Sequence, residues 1–181
     1  AAGAFNIWSH RWSFTVITNG QPYITNDIDP VSGHAVIIDG DYAIQPEMSG
    51  ANNLSGPITT IGVFTHEFGH IFGLPDLYDT DNSSEGLGNW CLMAGGTYGG
   101  NGSSSHTPVH MSAWCKVELG WVTPINITTA IDALSVPNVE QNPVIYKMWR
   151  NGASTTQYFL VENRKKIGFD ANLYDSGFLI Y

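Results

Sequence analysis

The stretch from Pro57 to Phe72 constrains the fold of this chain more than any other. It places Ile58, Ile61, Phe64, Phe68, Ile71 and Phe72 at helical spacing and opens on a proline suited to the first helical position. Gly73 is a natural stop and Pro75 bars continuation, so a helix is expected over 57–72. Elsewhere the 20 glycines and 9 prolines punctuate the chain into short segments and long turns. At 181 residues and 43% apolar content, with no repeat and no dividing linker, one domain with a real core is expected.

The remaining elements are shorter. Residues 35–38 and 42–44 are β-like runs separated by Asp39-Gly40-Asp41, the pattern of a hairpin or bulged strand. Residues 76–105 are mostly loop. A second helix is expected over about 109–119, with Met111, Trp114 and Val117 on its apolar side and Gly120 as its stop. Residues 144–149 and 157–161 read as strands. The expected class is α+β: a mixed sheet, one long helix, an upper part over about 1–73 and a loop-rich lower part over about 74–181.

Charge narrows the function. Sixteen acidic residues against seven basic ones give a net charge of −9, which repels nucleic-acid phosphates and anionic membrane surfaces. No apolar run approaches the roughly 20 residues of a membrane span. The start, Ala1-Ala2-Gly3-Ala4, lacks the pattern of a signal peptide, and residues 177–181 are an apolar run without a polar tail. The expectation is a stretch cut from a longer precursor. Cys91 and Cys115 leave two readings open, one disulfide in an exported chain or two buried thiols.

The expected helix carries His66-Glu67-Phe68-Gly69-His70. Histidines four apart lie one above the other on a helix, so both imidazoles can reach one metal ion. Glu67 is placed to act as general base on water at that metal. Asp76, ten residues beyond His66 and past the Gly73 turn, is the candidate third ligand, with Asp79 as the alternative. Three protein ligands leave a zinc position open for chemistry. Met93, inside the Gly-rich segment 89–96, resembles the methionine turn that forms an apolar floor in metzincin-like enzymes. Tyr98 and Tyr78 are candidate stabilisers of a developing oxyanion. Asp79, Asp81, Asn82 and Glu85 cluster as oxygen donors of the kind calcium takes, or as a solvated acidic loop. Strand 42–47 is either a cleft-lining strand for an extended substrate or ordinary core. His10, His34, His106 and His110 lack ligand spacing and read as structural or surface residues.

Together these residues resemble the immune inhibitor A family of secreted bacterial metallopeptidases. The resemblance takes in residues 7–12 and 42–47, the motif running from His66 to Asp79, and the Met93 turn. It continues through residues 111–121 and 158–164. It implies a zincin-like catalytic domain that binds zinc, is exported as a precursor with a propeptide and further domains, and acts as a monomer on protein or peptide substrates. The motif departs from the metzincin pattern in having Asp76 where those enzymes carry histidine. Cys91 and Cys115 stand where the family is expected to have small residues, which points to a disulfide peculiar to this member. The rival readings are a zinc-binding pseudoenzyme and a secreted calcium-binding or adhesion module.

Overall fold

Because the strand-forming residues come in runs of three to seven, the backbone builds small sheets rather than one large one. The computed structural model describes residues 9–49, 56–149, 152 and 154–181. Its contacts divide the chain into two units, residues 1–59 with 67–73 and residues 60–66 with 74–181.

In the first unit, β1 (His10–Ser13) pairs antiparallel with β4 (Asp41–Ile44). An Arg11–Asp41 ion pair lies on that ladder, and Tyr42 packs edge-on against His10 and Phe14. A single helical turn, α1 (Phe14–Ile17), follows β1. Separately, β2 (Tyr23–Ile28) pairs antiparallel with β3 (Ala35–Ile38). The hairpin expected across Asp39-Gly40-Asp41 is therefore not formed: β3 and β4 belong to different sheets. The Gly40 carbonyl accepts from the Phe14 N–H at 2.7 Å, and the partner of β4 comes from about thirty residues upstream. A local pattern carries no information about such a pairing.

The long helix, α2, runs Ile61–Ile71 and is shorter than expected at its start. Pro57 lies outside it. Its carbonyl accepts from the Ser49 N–H at 2.8 Å, while the Thr59 N–H donates to the Glu47 carbonyl at 2.8 Å, so residues 57–59 bridge to 47–49 as extended chain. The expected stop holds: Gly73 has φ +93°, and its N–H donates to the His70 carbonyl at 2.9 Å. The apolar positions do not form the buried face. Ile61, Phe64, Phe68 and Phe72 are exposed, whereas Gly62, His66, Glu67 and Gly69 are buried. The cause is a close backbone approach. A Cβ on Gly62 would lie 2.0 Å from the Thr97 carbonyl oxygen, and the Gly62 N–H donates to the Ser105 carbonyl at 2.9 Å. No helix of the described residues is long and apolar enough to cross a membrane.

The second unit holds a four-stranded mixed sheet in the order β5 (Ile125–Ile127), β6 (Tyr146–Trp149), β7 (Tyr158–Arg164), β8 (Gly177–Ile180). The β5–β6 pair is parallel and the other pairs are antiparallel. Ala113, Val122, Ile145 and Leu160 form one buried cluster, and Leu74, Cys91, Leu92, Met93, Ala94, Met111 and Cys115 another. The second expected helix contracts to α3 (Ala113–Glu118), capped by Ser112, whose Oγ accepts from the Cys115 N–H. Residues 109–110 are held instead by the turn at 91–96. The Val109 N–H donates to the Gly96 carbonyl, and the His110 carbonyl accepts from the Leu92 N–H.

The second unit also buries a charge network that residue patterns did not announce. Arg164 bonds Asp170 at 2.6 and 2.8 Å and Glu162 at 3.1 Å, and Lys116 bonds Glu162 at 2.8 Å. The Tyr181 hydroxyl donates to Glu162 at 2.9 Å. Burial alone would raise Asp170, yet the hydrogen bonds and charge of Arg164 hold it below the ordinary carboxylate value. Arg164 also donates to the Trp90 carbonyl at 3.0 Å, tying this network to the segment that leads into Leu92 and Met93.

Candidate metal centre

Two of the candidate ligands come from one face of α2, and the third from the loop that Gly73 releases. His66, His70 and Asp76 each present a ligand atom within 4.8 Å of the others. Among the described residues they are the one group of three His, Cys, Asp or Glu side chains that does so. All three lie in one continuous stretch of chain. Asp76 is fixed from both sides: Leu74 is buried, and the Leu77 N–H donates to the Met93 carbonyl at 2.7 Å.

His66 is held through both ring nitrogens. Its Nδ1 lies 2.9 Å from the Leu92 carbonyl oxygen and 3.0 Å from the Thr97 hydroxyl. A carbonyl only accepts, so Nδ1 carries the proton and donates. Thr97 spends its own hydroxyl proton on the same carbonyl at 2.7 Å. The lone pair is thereby placed on Nε2, which points to Asp76 Oδ1 at 3.1 Å. An outer partner that fixes tautomer and ring orientation is the usual companion of a metal-binding histidine. Tyr78 stacks on the His66 ring, 6.4 Å between centroids and 16° between planes.

The donor set fits zinc. Two imidazoles and one carboxylate are borderline-soft and charge-appropriate ligands, and three protein ligands leave a fourth tetrahedral position. Glu67, next to His66 on α2, is nearly buried at 9% exposure, and no described residue pairs with its carboxylate.

The other residues singled out from the sequence fall as follows. Met93 is fully buried in the cluster that contains Leu74. Tyr78 and Tyr98 are exposed. Asp79 does not join the histidines. Its carboxylate accepts from the backbone N–H groups of Asp81 and Ser84 and from the Ser83 hydroxyl, and those backbone bonds hold it well below the usual carboxylate range. Asp81 in turn accepts from the Ser83 N–H, so these carboxylates organise their own loop. Cys91 and Cys115 are fully buried with their sulfurs 4.0 Å apart, as thiols. His10 and His110 serve packing and backbone bonding. Burial of the His110 ring lowers its pKa. Residue reading missed the Leu92 carbonyl and Thr97. A backbone acceptor leaves no sequence signal, and Thr97 looks like any threonine in a glycine-rich segment.

Residues 1–122 match the family described as immune inhibitor A peptidase M6, catalytic domain. The chain belongs to this family. Among its relatives, immune inhibitor A of Bacillus thuringiensis subsp. alesti is 37% identical over 99 residues, 52% of this chain and 12% of that protein. Pre-pro-metalloprotease PrtV of Vibrio cholerae serotype O1 (strain M66-2) is 32% identical over 119 residues, 63% of this chain and 11% of that protein. The matched regions thus make up only 11–12% of the length of these relatives. The M6 match takes in α2, the Asp76 loop, the turn at 91–96 and α3, and stops before β5.

Proposed function

We propose that this M6 domain is a zinc-dependent endopeptidase of the zincin-like class, with His66, His70 and Asp76 as the metal ligands. The observation that carries the reading is the convergence of those three side chains, with Nδ1 of His66 held by the Leu92 carbonyl and Nε2 turned towards Asp76. Zinc in such a site supplies a Lewis acid that polarises a carbonyl and brings water towards a pKa of about 7. Glu67 takes the proton of the attacking water and returns it to the leaving amine. Its near-burial and freedom from a described partner leave the carboxylate available for that traffic. Tyr78 and Tyr98 are the candidate second donors to the oxyanion; of the two, Tyr78 stacks on a ligand ring. Met93 serves as the apolar floor of the site, and its carbonyl anchors the backbone beside Asp76.

The substrates are proteins or peptides, and the domain works as a monomer exported by a bacterium. That the Vibrio relative is a pre-pro-metalloprotease supports export as a precursor. The proposal does not extend to calcium, because the Asp79 and Asp81 carboxylates are engaged by their own loop. Nor does it extend to a pseudoenzyme, since a site that only holds zinc has no use for Glu67. The test is cleavage of casein by metal-loaded protein. Activity that is lost to a chelator, restored by zinc and abolished in Glu67→Ala with zinc still bound is the expected result. Full zinc occupancy in wild type without cleavage of any protein or peptide would sink the enzymatic reading.

A further inference from the structure

Cys91 and Cys115 are the only cysteines in 181 residues, and the fold brings them into sulfur contact inside the core. Both are fully buried, although they lie 24 residues apart in sequence. Cys91 is also the pivot of the turn beneath His66. Its carbonyl accepts from the N–H groups of Ala94 and Gly96 at 2.9 and 3.1 Å, and the next residue, Leu92, supplies the acceptor for His66 Nδ1. Cys115 sits in the first turn of α3. Ser112 links the two sulfurs, its N–H donating to Cys91 Sγ and its hydroxyl to Cys115 Sγ, each at 3.3 Å.

We infer that Cys91 and Cys115 are joined as a disulfide in the exported protein, and that this bond clamps the turn carrying the Leu92 carbonyl and Thr97 to α3. The clamp's metal readout rests on the proposed zinc site; the bond itself does not. The two sulfurs lie in contact, as a bond between them requires, and no other cysteine in these 181 residues competes. In forming the bond each thiol gives up a proton and an electron. The two electrons reduce the disulfide of an exchange partner, such as a thiol–disulfide oxidoreductase or oxidised glutathione, to two thiols. Because both sulfurs are shielded in the folded protein, exchange takes place while the chain folds and the finished bond resists reduction.

The experiment begins with protein exported through an oxidising compartment and denatured with an alkylating reagent in the absence of reductant. Intact mass is expected to show no added alkyl group and a deficit of two hydrogens, with two alkyl groups added after reduction. Two alkyl groups without reduction would overturn the bond. Zinc affinity is then compared, by chelator competition, between the oxidised form and the double variant Cys91→Ala/Cys115→Ala. Roughly tenfold weaker binding in the variant is expected, as for loss of an outer-shell support. Its melting temperature should fall by about 10 °C, from the loop the bond closes. Equal zinc affinity in the two forms would overturn the clamp. If the variant does not fold, the same comparison is made with wild type refolded under reductant. Failure of the oxidised form to bind zinc at all would overturn both the clamp and the proposed metal site, while the masses independently decide the bond.

Discussion

Replacing Gly62 by alanine tests whether the close approach of α2 to the Thr97 segment supports the metal centre. An added Cβ would meet the Thr97 carbonyl oxygen at 2.0 Å and the Ser105 carbonyl oxygen at 2.9 Å, both backbone atoms that cannot rotate away. Restoring a normal contact requires the helix or the facing segment to move by about 1 Å, since real Cβ atoms essentially never come closer than 3.0 Å. Two effects oppose each other. Alanine favours a helix interior by about 1 kcal/mol over glycine, whereas overpacking against an unyielding neighbour costs about 1–3 kcal/mol. The clash is with backbone, so the upper part of that range applies and the net loss is about 2 kcal/mol. For a domain of this size that is a fall of about 4–8 °C in melting temperature. The same displacement moves Thr97 relative to Leu92 and His66, so zinc affinity should drop by about tenfold. Scanning calorimetry on the metal-free form and chelator competition on the loaded form give the two readings. A variant as stable as wild type, with unchanged zinc affinity, would refute the argument that the small residue is there for the site.

Four further outcomes are expected, two at the metal centre and two in the buried charge network. Glu67→Gln should keep zinc at one equivalent by elemental analysis while turnover falls by about 100-fold to 10,000-fold; unchanged turnover would remove Glu67 from the proton path. Asp76→Ala should lower zinc affinity by more than about 100-fold, and full occupancy under the same conditions would hand the third position to another residue. Arg164→Leu should destabilise the fold by about 3–5 kcal/mol in denaturant titration, because Asp170 and part of Glu162 are left as uncompensated buried charge. The native network also has a pH signature. Asp170 is held below its unfolded value of 3.8, so its contribution is intact above about pH 4 and is lost as pH falls through the depressed value; flat stability across that range would refute it.

How far residue patterns reach is clear from particular segments. The spacing of His66, His70 and Asp76 around Gly73 was legible because each step is local: a helical turn, a left-handed stop and a short loop. The start of α2 is not legible, because Pro57 suits either the first turn of a helix or a bridge to a neighbouring strand, and the Glu47–Ser49 partner lies far from it in sequence. The outward position of the apolar stripe has a related reason. Phe64, Phe68 and Phe72 form the apolar stripe that periodicity seeks, but Gly62 admits backbone to the opposite side, where polar side chains have partners. The four-stranded sheet was read in its central pieces, 144–149 and 157–161, and its pairing was not, since pairing is set by contacts distant in sequence. The outer support of His66 was invisible because its first member is a carbonyl oxygen that every residue possesses.

That support has a consequence for how the domain acquires its ion. With Leu92 and Thr97 holding the imidazole, the entropy of orienting His66 is spent when the polypeptide folds, and the incoming cation meets a donor already aimed. The metal-free protein is expected to be an ordered receptor, and loading to be a docking event rather than a folding transition of the kind small zinc modules undergo. Metal limitation would then leave a reservoir of intact domains that regain function as soon as the ion returns.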